Sequence, residues 1–205
     1  MLAIVPVNAP SDAKRRLATL LSAEGRAGLV VAMLEDVLEA CRRARSIDRM
    51  LVVTPDPGLA PPDVEVLLDP GLGHAQAVAL ALALAGPDGA LVVMADCPLI
   101  RAETLDALAA AARPVALCLA QDGGTNALAL RPADAIEPAF GLRNGAALTV
   151  ERARAAGFEA AVIDDLRLAL DVDTPEDLER VRELGEGTRT HVFLSASHLR
   201  EDSLP

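Results

Sequence analysis

The stretch LVVMADCPLI, residues 91–100, decides the fold. Leu91 to Ala95 form an unbroken apolar run that ends in Asp96, Cys97 and Pro98. A run this short and this rich in Val and Leu reads as a strand buried on both faces. Pro98 carries no N–H for a sheet ladder, so pairing stops before it. The chain therefore puts a carboxylate where a core strand surfaces. A second passage, LALDVDTPEDLERV at residues 168–181, repeats the pattern, with Leu168-Ala169-Leu170 reading as a short strand that ends in Asp171 and Asp173.

Outward from these passages, strand-like runs alternate with helical ones. LAIVPV (2–7), RMLVVT (49–54) and VEVLLD (64–69) read as strands. From Ser22 a long helix is predicted, with Leu29, Met33, Val37 and Cys41 sharing one face. Gly71 to Gly73 lead into an Ala/Leu run, Ala75 to Ala85, which reads as a buried helix stopped by Gly86-Pro87. A helix from about Ala102 to Ala112 comes next. PVALCLA (114–120) and NALALR (126–131) flank Gly123-Gly124 as a hairpin or small β-excursion. A helix near Asn144 and the strand-like FEAAVID (158–164) precede the last helix. That helix is well specified, with Thr174 as N-cap, Pro175 at its first position and Glu176 and Asp177 facing the dipole. The pattern implies one α/β domain over residues 1–185, a mainly parallel sheet with helices on both faces. Residues 186–205 lack periodicity and read as a C-terminal tail, mobile or packed on a partner.

Composition removes several classes of function. A net charge of −11 leaves no phosphate-neutralising surface for nucleic acid. With no Tyr or Trp and three Phe, there is almost nothing to stack on bases. The three cysteines, Cys41, Cys97 and Cys118, are odd in number and lack C-x-x-C spacing, which suits a reducing compartment. No apolar run approaches the roughly 20 residues that a bilayer requires, and no signal pattern opens the chain. A cytoplasmic protein without membrane partners is expected.

In a doubly covered parallel sheet, ligands bind beyond the carboxyl ends of the strands. Asp96 and Asp171 stand at such ends and suit a hard, oxygen-preferring ion such as Mg2+. Asp173 joins them as a third metal candidate, although taken alone it is also good helix-start chemistry. Lys14 is the chain's single lysine beside eighteen arginines, and it follows the first strand. A compact ammonium on a phosphate is a role that a planar guanidinium does not reproduce. The loops at Gly71–Gly73 and Gly123–Asn126 can bring backbone N–H groups close to a ligand. FGLRNGAAL (140–148) leads into a helix N-terminus, an anion-binding geometry. Neither a G-x-G-x-x-G nor a Walker sequence is present.

These motifs resemble a known family. AKRRLA (13–18), AMLEDVL (32–38), ADCPL (95–99), GGTNAL (123–128), Phe140-Gly141 and LDVDTPEDL (170–178) are similar to the guanylyltransferases of coenzyme F-420 biosynthesis. The resemblance implies a Rossmann-like nucleotidyltransferase fold, similar to that of molybdenum-cofactor guanylyltransferases. It implies transfer of GMP from GTP to phosphoenolpyruvate, 2-phospho-L-lactate or 3-phosphoglycerate, with magnesium on Asp96 and Asp171. By the same resemblance Lys14 meets phosphate, and Thr125 and Gly141 contact the phospho-acid. Handover to a downstream transferase and a homo-oligomer are further expectations.

The chain also departs from that family. Asn8 stands where the family usually has Lys, Arg15 where it has a small hydroxyl residue, and Asn144 lies in the segment where it favours Ser. Gly73 and His74 lie where the base-binding loop tends to read G-L-N. Arg15 or Arg143 is a candidate to supply the missing charge, and His74 a candidate contact to the base. The alternatives are a nucleotidyltransferase with another acceptor, a glycosyltransferase using a D-x-D motif, and a catalytically idle nucleotide-binding relative.

Overall fold

The computed structural model describes residues 1–9, 14–71 and 73–196, with the backbone alone for His74. Seven strands form one sheet: β1 Leu2–Pro6, β2 Arg49–Thr54, β3 Glu65–Leu68, β4 Ala90–Val93, β5 Val115–Leu119, β6 Thr125–Leu130 and β7 Ala160–Val162. Their spatial order is β3-β2-β1-β4-β6-β5-β7. All neighbours pair in parallel except at β6, which runs antiparallel to both β4 and β5. The β5–β6 hairpin is thus built into the sheet, with β6 near its middle.

Among the described residues six helices flank the sheet: α1 Ala23–Arg43, α2 His74–Leu82, α3 Ala102–Ala111, α4 Gly145–Ala155, α5 Pro175–Leu184 and α6 Arg189–Ala196. Side chains alternate across the strands. Ala3, Val5, Leu91 and Val93 pack with α1, α3, α5 and α6, whereas Leu2, Ile4, Ala90 and Val92 pack with α2 and α4. Burial on both faces is the reason the strands read as unbroken apolar runs. Leu29, Met33, Val37 and Cys41 all lie on the buried face of α1, and Ser22 caps that helix by accepting the Gly25 N–H at 3.1 Å. Thr174 and Asp177 close a reciprocal capping box at the start of α5.

Three expectations are corrected. The Ala/Leu run ends as a helix at Leu82 and is half-exposed: Ala77, Val78 and Ala81 face the sheet, while Leu80 and Leu84 face solvent. Composition alone could not say which side of an all-apolar helix meets the sheet. Residues 168–173 form no strand. They cross the sheet's edge as an irregular segment, because Asp165 takes the Arg167 and Leu168 N–H groups and Asn126 holds the Leu168 carbonyl.

The third correction concerns the stretch read as a tail, whose first half is α6. Asp36 on α1 accepts the N–H groups of Arg189 and Thr190 at 2.7 and 2.9 Å and the Thr190 hydroxyl at 2.6 Å. The absent side chain of Gly28 leaves room for the Phe193 ring, whose Cε2 would lie 2.7 Å from an added Cβ. Residues 197–205 lie outside the described residues. Asp36→Ala removes this remote cap, and α6 should lose about 1–2 kcal/mol of local stability. Hydrogen exchange should then quicken in α6 and stay unchanged in β1 and β4. Unchanged exchange in α6 would show that its packing alone holds it.

Candidate active site

The chain leaves β1 on one side for β2 and β3, then returns to β4 on the other side. A crevice therefore opens beyond the carboxyl ends of β1 and β4, the place where such sheets bind ligands. β6 runs the opposite way, so its first residues reach the edge where β4 ends: Val93 pairs with Ala127, and the Met94 N–H bonds the Asn126 carbonyl. The irregular segment is tied to the same edge by the Val172 N–H donating to the Asp96 carbonyl at 3.0 Å. Topology thus gathers Lys14, Asp96, Thr125, Asn126, Asp171 and Asp173.

Two adjoining hollows result. One, of about 310 Å³, is bordered by Val7, Asn8, Lys14, Asp96 and Asp173. The other, of about 470 Å³, is bordered by Asp96, Asp122, Thr125, Gly141, Arg143, Asp171 and Asp173. Asn8, Met94, Asp96 and Asp173 border both. A larger hollow, about 710 Å³, lies between α1, the start of α3 and residues 187–189, and none of the candidate site residues read from the sequence borders it.

Lys14 is the electrostatic centre. Its Nζ donates to Asp96 Oδ2 at 2.5 Å and to Asp173 Oδ1 at 2.8 Å, and its side chain is only 8% exposed. Burial alone would lower the ammonium pKa, but attraction and hydrogen bonds from the two acids outweigh it and leave the pKa raised. Arg16 stands 3.9 Å from the other oxygen of Asp173. Burial pushes the Asp171 carboxyl pKa up, and repulsion from Asp96 and Asp173 adds to the effect, against a hydrogen bond from Asn126 at 3.2 Å. Lys14 pairs with Asp96 and Asp173, and no salt bridge to Asp171 occurs among the described residues.

Two buried oxygens, Asp96 Oδ1 and Thr125 Oγ1, find no hydrogen-bond partner among the described residues. An unpaired buried polar atom is costly in a native protein, so such atoms are commonly completed by a ligand. Backbone strain points to the same place. Among the described residues, the non-glycine residues with positive φ are Lys14 at 55° and Asn144 at 54°, and both adjoin these hollows.

The remaining sequence candidates are placed as follows. Arg15 is exposed in a 3₁₀ turn and borders neither hollow. Gly73 caps α2, which packs over β1 and β2, and borders neither hollow, and His74 opens that helix. Asn144 caps α4 without a side-chain hydrogen bond. Asn126 was not singled out from the sequence, although it lies within GGTNAL. It is buried, and its amide donates to both the Leu168 carbonyl and Asp171. Cys97 is fully buried, and desolvation, reinforced by Asp96, raises its thiol pKa well above normal, so it has no nucleophilic character.

The sequence profile described as guanylyl transferase CofC like matches residues 1–201. The chain belongs to that family. Among CofC-like relatives it is 42% identical over 190 residues to phosphoenolpyruvate guanylyltransferase of Sphaerobacter thermophilus, covering 88% of this chain and 91% of that one. It is 36% identical over 204 residues to 2-phospho-L-lactate guanylyltransferase of Methanothermobacter thermautotrophicus, covering 94% and 88%. It is 37% identical over 207 residues to 3-phospho-D-glycerate guanylyltransferase of Phenylobacterium zucineum, covering 94% of each. A solved nucleotidyl transferase from Methanothermobacter superposes with a TM-score of 0.65 at 19% identity over 96% of this chain and 98% of that one, a likeness of fold. The mixed sheet of this CofC-like chain thus shares the fold of that solved protein.

Proposed function

We propose that this protein transfers GMP from GTP to a phosphorylated three-carbon acid and releases pyrophosphate. The observation that carries the reading is a cleft, in a chain of the CofC-like family, in which Asp96 and Thr125 each hold a buried oxygen unpartnered among the described residues. The relatives are named for three acceptors, phosphoenolpyruvate, 2-phospho-L-lactate and 3-phospho-D-glycerate, so the acceptor class is the shared phospho-acid.

Magnesium fits the residues present. Among the described residues no three His, Cys, Asp or Glu side chains group closely enough to hold a metal alone. Magnesium ordinarily takes one or two carboxylates and fills its shell with water and substrate phosphates. Asp96, with its open oxygen, and Asp171, beside it, are the two that would hold it. Asp173 is the third candidate and, like Asp96, also holds Lys14. When bound, the ion supplies positive charge to the reacting phosphates.

In the reaction an oxygen of the acceptor phosphate attacks the α-phosphorus of GTP in line. The new P–O bond forms as the bond to the α,β-bridging oxygen breaks, and pyrophosphate leaves with that electron pair. No side-chain nucleophile is needed. The protein's part is placement and charge. Lys14, kept protonated by its two acids, lends an ammonium to the phosphates. Thr125 donates its unused hydroxyl to the acceptor, and the start of α4, which Asn144 does not cap with its side chain, lies beside Gly141. The activated acid then passes to a downstream transferase.

The test is pyrophosphate release with magnesium, each of four nucleoside triphosphates and each of the three phospho-acids, in the presence of a downstream transferase and deazaflavin acceptor. Release with GTP and one acid is expected. Silence across the grid from folded protein that still binds GTP would favour an idle binding relative. Chelation should abolish turnover and added magnesium should restore it; full turnover in EDTA would sink the metal assignment.

A further inference from the structure

The reading above leaves the acceptor's carboxylate without a partner. We propose that Arg143 recognises that carboxylate and so sets the preference for phospho-acids over simple alkyl phosphates. The inference rests on the proposed guanylyltransfer and deepens it. Four acids border the acceptor-side cleft, Asp96, Asp122, Asp171 and Asp173, and a phospho-acid brings a carboxylate as well as a phosphate into that field. The nearby cations are already engaged: Lys14 is held by Asp96 and Asp173, and Arg16 leans on Asp173. Arg143 is the one arginine bordering this cleft among the described residues, and it makes no hydrogen bond or ion pair within them.

Its loop is fixed while its side chain is free. Gly141 takes φ +73°, Asn144 takes φ 54°, and a Cβ on Gly145 would come within 2.5 Å of the Ala139 carbonyl. The Leu142 N–H closes a turn onto the same carbonyl at 3.3 Å. A pinned backbone therefore presents an exposed guanidinium, unpaired among the described residues, next to the start of α4. A planar fork matches a carboxylate in two parallel hydrogen bonds, which a single hydroxyl such as Thr125 cannot make. Thr125 would meet the phosphate end and Arg143 the carboxylate end.

The experiment compares wild type, Arg143→Gln and Arg143→Lys with the phospho-acid that supports turnover and with ethyl phosphate, which keeps the phosphate and lacks the carboxylate. Arg143→Gln is expected to raise the acid's KM by about 10- to 100-fold, the usual cost of losing a charge-assisted pair. Binding of GTP, read by titration, and inhibition by ethyl phosphate should stay within twofold, and Arg143→Lys should recover part of the loss. An acid KM unchanged in Arg143→Gln would overturn the proposal. So would ethyl phosphate weakened as much as the acid, because Arg143 would then be reading phosphate. Wild type silent with every phospho-acid would overturn the guanylyltransfer reading itself, a result separable from the other two.

Discussion

Asp96→Asn should lower kcat by about three orders of magnitude, measured as pyrophosphate release in a single turnover. The substitution keeps the size and shape of the side chain and removes its charge. It does two things at once. It takes away the negative charge that suits the open oxygen to a magnesium ion, and it weakens the partner that holds Lys14 at 2.5 Å. Asp173 still grips Lys14, so the cost to stability is expected to be small, about 1–2 kcal/mol, and the protein should remain folded at the assay temperature. Affinity for magnesium, read by titration with GTP present, should fall together with kcat. Activity within tenfold of wild type in a variant of unchanged fold would remove Asp96 from the chemistry.

Lys14→Gln carries the second large effect, a loss of about 100- to 1000-fold in kcat/KM for GTP. The expectation has a second half of opposite sign. Lys14 neutralises Asp96 and Asp173 in the free protein, so removing its charge leaves three acids facing one another. Magnesium binding without nucleotide should therefore tighten even as nucleotide turnover collapses. A purely structural lysine would not split the two readouts in this way. Lys14→Arg should fail to rescue, because a planar fork does not fit a nearly buried position shared by two carboxylates. Rescue by Arg would mean that any cation suffices there.

Much of the fold was legible because its signals are local. The buried face of α1, the Ser22 cap and the Thr174–Asp177 box depend on residues within a turn or two of each other. The strands of the core could be read as apolar runs because both sheet faces are covered. The misreadings have tertiary causes. Leu168-Ala169-Leu170 has the composition of a strand, but Asp165 and Asn126 take the backbone groups that a ladder would need. The segment holding α6 showed no periodicity of its own because its cap comes from Asp36, 153 positions away, and its Phe193 fills a gap left by Gly28.

The candidate site divides in the same way. The residue types were visible: strand-exit acids, a single lysine and glycine loops. The pairing was not. Nothing in the chain's order says that Lys14 is held by Asp173 as well as Asp96, that Arg16 approaches Asp173, or that Asn126 steadies Asp171.

By itself, the sequence determined most of the strands and helices, though not α6 or the irregular segment at 168–173, and which side chains bring chemistry to their ends, because periodicity and capping act over a few residues. Only the tertiary structure decided which of those ends meet. The crossover between β1 and β4, with the reversed β6 beside them, brings positions 14, 96, 125 and 171–173 to one edge of one sheet. Charge and burial acting between distant segments then set the partners.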